Sequence, residues 1–145
     1  MSISLLPAQL TDAWVAFPAD VVQEIVGQHP WIAIPSAPPE VPGVLAWRGR
    51  AIAVLDLGLM SGISPPLKRG ELRRRTMVLH VEGCTFAVSV DEVREVQQVA
   101  GGDVQPAEVT KVRYSAGEVV LDGTPMPLLD VLAMVRAVSV GGDAR

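Results

Sequence analysis

Apolar residues fall in short runs separated by glycine, proline and charged residues, the spacing of a chain built from many short strands. Val44-Leu45-Ala46-Trp47 and Ala51-Ile52-Ala53-Val54-Leu55 flank a compact Trp47-Arg48-Gly49 turn. The second run lacks period-two alternation, so it reads as a strand covered on both faces. Gly49 supplies backbone freedom at the turn, and Arg48 is a charge held at its tip. Met77, Leu79 and Val81 share one strand face, and Phe86, Val88 and Val90 share one face of the next. Gly83 marks a hairpin turn between them. Pro7 and the polar residues around Gln9 and Asp12 interrupt the earliest run, which predicts a poorly formed first strand. At the other end, Asp130 precedes Val131, Met134, Val135 and Val138, the spacing of a capped amphipathic helix. Gly141-Gly142 is expected to end it, with a frayed tail to Arg145.

The chain also reads as two related halves. Trp14-Val15-Ala16-Phe17 aligns with Thr85-Phe86-Ala87-Val88, and Val22-Gln23-Glu24-Ile25 with Val93-Arg94-Glu95-Val96. The stretch from Gly49 to Leu57 aligns with that from Gly123 to Val131. The offsets, about 71 and then about 74 residues, fit a duplication with one small insertion and far exceed a solenoid period. Chance similarity between short Val-rich strands is the alternative. Each half reads as a small antiparallel β-barrel, an arrangement without open strand edges. Residues 61–75, rich in Ser, Gly, Pro and charge, form the expected exposed connection between the halves.

Gly43-Val44, Trp47-Arg48-Gly49 and Asp56-Leu57 together resemble the signature of CheW-like proteins, roughly GV-x-x-LRG-x-x-x-P-x-x-DL. The resemblance extends over most of the chain. Val22-Gln23-Glu24-Ile25 matches a V-x-EI segment, and Ile34-Pro35 with Pro38-Pro39 resembles the Pro-rich approach to the central Gly-Val. The run from Phe86 to Val93, with Glu95-Val96, resembles G-x-x-VD-x-V-x-EV, and Pro127-Leu128-Leu129-Asp130-Val131 the terminal LLD motif. Three positions depart from the pattern: Ala46 stands for a frequent Asn, Trp47 for Leu and Ala53 for Pro.

The resemblance implies a mainly β fold of two small SH3-like five-stranded β-barrels packed together, with a short C-terminal helix. It implies one CheW-like domain over residues 1–145, with subdomains at about 10–70 and 71–140 that can exchange strands. It also implies a non-enzymatic adaptor without cofactors, coupling chemoreceptors to a CheA-type histidine kinase. One barrel would bind the kinase regulatory domain. The groove between barrels would take the cytoplasmic tip of a methyl-accepting chemoreceptor, a helical hairpin. The protein would be cytoplasmic and recruited to receptor arrays. A divergent member that has lost either kinase or receptor binding is a second reading.

Composition narrows the classes further. The 145 residues suffice for one domain with a sizeable core, and 49% are hydrophobic, which excludes disorder. Aromatics make up only 4%, so the core rests on Val, Leu, Ile and Ala. The net charge of −4 provides no global attraction for nucleic acid. The single Cys84 excludes an internal disulfide and a Cys-based zinc cluster and suits a reducing compartment. No apolar run is long enough to span a bilayer, and residues 1–10 lack the layout of a secretory signal.

Catalytic constellations are scarce. His29 and His80 have no metal-ligand spacing, and His80 is expected on an outer strand face. Cys84 follows a turn glycine without an evident base, and no G-x-S-x-G elbow is present. Asp56 and Asp130 occupy equivalent places in the halves. They read as acceptors for the backbone of the following turn rather than as an acid–base pair. Lys68, Arg69 and Arg73 to Arg75 form a basic cluster. A small β-barrel nucleic-acid binder would use it to grip phosphates. The cluster lacks interleaved aromatics and reads as a solvated linker, so no nucleic-acid partner is expected.

The partner-binding candidates are Arg48, Trp47, Gly43, Val44, Val22, Glu24 and Ile25. An Arg fork beside a Trp suits a partner's carboxylate or helix-end carbonyls. The alternative for Arg48 is an ordinary turn residue paired with Glu40 or Asp56, and for Trp47 a core anchor. Val22 inside and Glu24 solvated is the alternative for that strand.

Overall fold

The computed structural model describes residues 1–106 and 112–143. Strands β1 (Ser2–Leu10), β2 (Ala13–Pro18), β9 (Glu92–Val93), β10 (Gln97–Ala100), β11 (Ser115–Leu121) and β12 (Thr124–Leu129) form one sheet. Strands β3 (Val22–Val26), β4 (Ile32–Ala33), β5 (Gly43–Trp47), β6 (Arg50–Leu55), β7 (Arg75–Val81) and β8 (Cys84–Val90) form the other. The orders are β10-β1-β2-β12-β11, with β9 also on β1, and β3-β7-β8-β6-β5-β4. Each sheet thus holds six strands where five were expected, and neither ladder closes strand to strand among the described residues. Across the first sheet, Gln105 and Glu118 exchange both backbone hydrogen bonds, at 2.9 and 2.8 Å, and tie the segment after β10 to β11.

The aligned repeats occupy equivalent places. Val54 of β6 lies beside Ala87 of β8, and Leu128 of β12 lies beside Ala16 of β2, both in parallel pairs. Ala16 aligns with Ala87 and Val54 with Leu128, so the pairings are the same contact made twice. Each joins a strand of one half to a strand of the other. The hairpin β1–β2 lies in the sheet of β9 to β12, and β7–β8 in the sheet of β3 to β6.

The first strand departs from expectation. Residues 2–10 form one of the longest strands, fully paired with β2 from Leu5 to Leu10. Pro7 is tolerated because its carbonyl, and hence its missing N–H, faces the gap between β10, which stops at Leu5, and β9, which starts at Ala8. Among the described residues the Arg94 N–H fills that gap, donating to the Pro7 carbonyl at 3.0 Å, so no ladder donor is lost. Helix α2 (Val131–Asp143) also departs, running through Gly141-Gly142 rather than ending there. A helical glycine costs about 1 kcal/mol relative to Ala but does not forbid the turn. The tail at residues 144–145 lies outside the described residues.

The core has three layers. Between the sheets lie Leu6, Leu10, Val15 and Phe17 against Leu55, Met77, Leu79, Phe86 and Val88, closed by Val131, Met134 and Val135 of α2. Inside the second sheet's curve lie Trp31, Leu45, Trp47, Ile52, Val54, Val78 and Ala87. Leu5, Ala16, Val119, Leu121, Met126 and Leu128 fill the first. This explains why the Ala51–Leu55 run of β6 lacks alternation: Ile52 and Val54 feed one layer, Ala53 and Leu55 another. Short helix α1 (Leu57–Ser61) follows β6, capped by Asp56, whose carboxylate accepts from Leu59 N–H at 3.1 Å. The same carboxylate accepts from Leu67 N–H at 2.7 Å and pins the connection between the halves. Asp130 caps α2 in the same way, through Ala133 N–H at 3.0 Å. No helix among the described residues is long and apolar enough to cross a membrane.

Candidate partner-binding site

The β5–β6 hairpin turns through two residues with positive φ, Arg48 at 48° and Gly49 at 75°. That is a type I′ turn, whose twist matches the strands it joins. The turn lifts Arg48 out, leaving its side chain 64% exposed. Its guanidinium lies 4.8 Å from the centre of the Trp47 ring and donates to Glu24 of β3 at 2.5 Å. Its partner is neither Glu40 nor Asp56, the pairings expected of a simple turn residue. The Asp56 carboxylate is committed to the Leu59 and Leu67 amides. Trp47 is itself a core residue, 8% exposed, with its indole N–H buried and without a hydrogen-bond partner among the described residues. Beside it an open cleft of about 370 Å³ is lined by Asp20, Val21, Val22, Gln23, Trp47, Arg50, His80 and Thr85.

The structure splits the seven candidates into two groups. A register shift in β3 between Val22 and Glu24 puts Val22 opposite Leu79, Glu24 opposite Val78 and Ile25 opposite Met77. Paired residues share a face. Glu24 therefore joins the face of Val78 and Trp47, whereas Val22 and Ile25 join the inter-sheet face of Leu79 and Met77. Val44 lies on that second face too, through Ala53 and Phe86. A single rung, Ile32–Val44–Ala53–Phe86–Leu79–Val22, thus crosses all six strands. Its middle is buried and its ends open: Phe86 and Leu79 are each 1% exposed and Ile32 is 70% exposed. Val22 and Val44 are four inter-strand spacings apart, about 19 Å measured along the curved sheet. Gly43 shares the face of Glu24 and Trp47, on the rung Gly43–Val54–Ala87–Val78–Glu24, but presents no surface. It is buried, and a Cβ there would meet the Ile32 carbonyl and the Trp31 ring.

The remaining candidates have ordinary surroundings. His80 is exposed with Nδ1 2.7 Å from the Thr85 hydroxyl, and His29 Nδ1 lies 2.9 Å from the Pro30 carbonyl. Cys84 packs half-buried against the inter-sheet core. Among the described residues no group of three His, Cys, Asp or Glu side chains could hold a metal ion. The basic cluster is divided. Arg73 is nearly buried and pairs with Asp91 at 2.7 Å and Glu71 at 3.8 Å, while Lys68, Arg69, Arg74 and Arg75 are exposed.

Sequence reasoning missed a second constellation of the same kind. Arg94 lies 4.2 Å from the centre of the Trp14 ring and 3.7 Å from Asp122, which also accepts from Gln97 at 2.7 Å. Asp122 opens the β11–β12 turn as Arg48 opens the β5–β6 turn. The repeat alignment carried that signal, because Gly123 aligns with Gly49. Trp31 was missed as well: its indole N–H ties the connection down by donating to the Glu71 carbonyl at 2.8 Å.

Comparison with known proteins adds an independent line. The model of one protein family, the CheW-like domain, matches residues 4–139. The crystal structure of the scaffolding protein TtCheW from Thermoanaerobacter tengcongensis is similar, with a TM-score of 0.76 and 23% identity, covering 89% of each chain. At that identity the likeness concerns the fold. No curated protein matches the sequence.

Proposed function

The chain belongs to the CheW-like domain family, and we propose that it is a non-enzymatic adaptor of chemotaxis-like signalling. In this reading it is a single CheW-like domain that works in the cytoplasm, holding a chemoreceptor tip and the regulatory domain of a CheA-type histidine kinase in one assembly. Tethering both turns a bimolecular encounter into an intramolecular one at high effective concentration. Control of the kinase then needs only different affinities for two receptor–kinase states.

The observation that carries the reading is the Arg48 constellation. An exposed guanidinium is preoriented by a type I′ turn and a Trp face, and its carboxylate partner among the described residues, Glu24, is 29% exposed. Such a group exchanges Glu24 for a partner's carboxylate or helix-end carbonyls at little cost. Arg48, Trp47 and Glu24 would contact one partner. Val22, Ile25 and Val44, on the opposite face, would line the approach of a helical one. Gly43 contributes by keeping β4 close to β5. Co-purification with a kinase regulatory domain and with a receptor tip, each tested separately, decides the matter. Binding of both supports the adaptor, and binding of one alone selects the divergent reading motivated by Ala46 and Ala53. Binding of neither removes both readings.

A further inference from the structure

The core layer that holds Trp47, Val78 and Ala87 gives way at one end to polar side chains. Alternation carries the face of Val78 along β7 to His80 and that of Ala87 along β8 to Thr85, and these two residues pair across their hairpin. Arg50 pairs with Trp47 across the β5–β6 turn. His80, Thr85, Arg50 and Trp47 all line the open cleft of about 370 Å³. The 3₁₀ turn Ala19–Val21 and the start of β3 bring Asp20 and Gln23 to the same cleft. Its volume falls in the range of small-molecule sites, about 300–1,000 Å³, and the mouth of a curved β-sheet is a common place for one.

The polar groups of this cleft are unused. The Trp47 indole N–H is buried, in a residue 8% exposed, without a partner among the described residues. Native structures leave few such donors unpaired. The side chains of Arg50, Gln23 and Asp20 make no hydrogen bond or ion pair among the described residues. Arg48, Arg73, Arg94 and Arg136, by contrast, are each paired with a carboxylate. His80 has Nδ1 2.7 Å from the Thr85 hydroxyl, which leaves Nε2 for a ligand.

We propose that this cleft is a binding site for a carboxylate, with Arg50 as its charged fork and the Trp47 N–H and the Gln23 amide as neutral donors. Donors outnumber acceptors among these groups, so the ligand supplies acceptors. The planar guanidinium takes a carboxylate through two parallel hydrogen bonds. Asp20 is the acid of the cleft, and its charge disfavours a multiply charged ligand such as a phosphate. A single carboxylate on a compact apolar body fits better, because the body packs on the Trp47 ring and Val21. This site does not depend on the adaptor reading, and the failure of either leaves the other standing.

The test is a proton–nitrogen NMR titration of the full chain, whose three tryptophans give three separate indole N–H signals. The probes are benzoate, its neutral counterpart benzamide and inorganic phosphate. N-acetyl-Gly-Phe with a free or an amidated C-terminus separates a chain terminus from a free small carboxylate. At millimolar concentration benzoate should move the Trp47 signal and leave those of Trp14 and Trp31 in place. Benzamide should bind about tenfold more weakly, and phosphate more weakly than benzoate. Arg50→Gln should weaken benzoate about tenfold without lowering the melting temperature, because the side chain is exposed and unpaired. Arg50→Lys should recover only part of the loss. The site takes a chain terminus when the free-acid dipeptide binds more tightly than benzoate and amidation abolishes it, and a free small carboxylate when the order is reversed. Equal binding of benzoate and benzamide, tighter binding of phosphate, shifts confined to Trp14 or Trp31, no shift with either carboxylate, or binding unchanged by Arg50→Gln would overturn the proposal.

Discussion

Arg48 and Asp122 stand at the same place in two equivalent turns and carry opposite charge. Each opens a two-residue turn that a glycine completes, with φ of 48° and 51°. Arg48 meets Glu24 at 2.5 Å, and Asp122 meets Arg94 at 3.7 Å. In both pairs the arginine lies over a tryptophan, Trp47 or Trp14. Only the turn positions are equivalent in the repeat, since Glu24 aligns with Glu95 and Arg94 with Gln23; two ion pairs of opposite polarity stand on matching turns, so the tip is cationic at one end and anionic at the other. A charged partner can tell the two ends apart by the cost of meeting a like charge.

The Arg48 pair is largely exposed, so its contribution to stability is about 1 kcal/mol or less. Arg48→Ala should leave the thermal melt nearly unchanged and weaken partner binding by about 2 kcal/mol, roughly thirtyfold, if the fork is an interface anchor. Arg48→Lys keeps a charge near Glu24 but loses the planar fork, and should fail to restore binding. Pull-downs and melts on both variants check this. Wild-type binding by Arg48→Ala, with a partner the parent demonstrably binds, would remove Arg48 from the site.

The architecture was legible because it is written in local patterns. The β7–β8 faces, the glycine turns, the Asp130 cap and the repeat are all set by nearest neighbours in the chain. The site was legible only in part. Arg48 was visible as a charge between apolar runs, but Glu24 is 24 residues away and is brought to it by strand order. The register shift that separates Glu24 from Val22 leaves no mark in a short Val-Gln-Glu-Ile stretch. Pro7 misled for a similar reason. A proline is excluded from a strand interior only when its missing N–H faces a neighbour, and the break between β10 and β9 is a tertiary fact.

Asp56 and Asp130 are equivalent caps with unequal burdens. Asp56 is 3% exposed and accepts from two amides, Leu59 and Leu67, whereas half-buried Asp130 accepts through its side chain from Ala133. Removing a cap costs about 1 kcal/mol, and stranding a buried amide costs about 1–3 more. Asp130→Ala should therefore lose about 1 kcal/mol and Asp56→Ala about 3, measured by urea unfolding. Equal losses would show that the Leu67 contact carries no weight.

Gly43→Ala should destabilise the fold without touching an exposed surface. The added Cβ would lie 2.6 Å from Trp31 Cε3 and closer still to the Ile32 carbonyl, which is backbone and cannot swing aside. The expected cost is about 2–3 kcal/mol, through separation of β4 from β5. Partner affinity per folded molecule should be retained at low temperature. A variant with wild-type stability and lost binding would instead make Gly43 a direct contact.

Trp31 and Trp47 offer a paired measurement, because both are 8% exposed and lie in the same core layer. They differ in one atom's fate. The Trp31 indole N–H donates to the Glu71 carbonyl at 2.8 Å, whereas the Trp47 indole N–H is buried without a partner among the described residues. Replacing either by Phe removes a similar volume, so the packing losses nearly cancel in the comparison. Trp31→Phe also loses a hydrogen bond that ties the connecting segment to β4, about 1 kcal/mol. Trp47→Phe removes an unsatisfied donor and recovers its desolvation cost, about 1 kcal/mol or more. Trp47→Phe should therefore be the more stable variant by about 2 kcal/mol in chemical denaturation. Equal stabilities would mean that the Trp47 N–H is satisfied in solution, by a water in the neighbouring cleft.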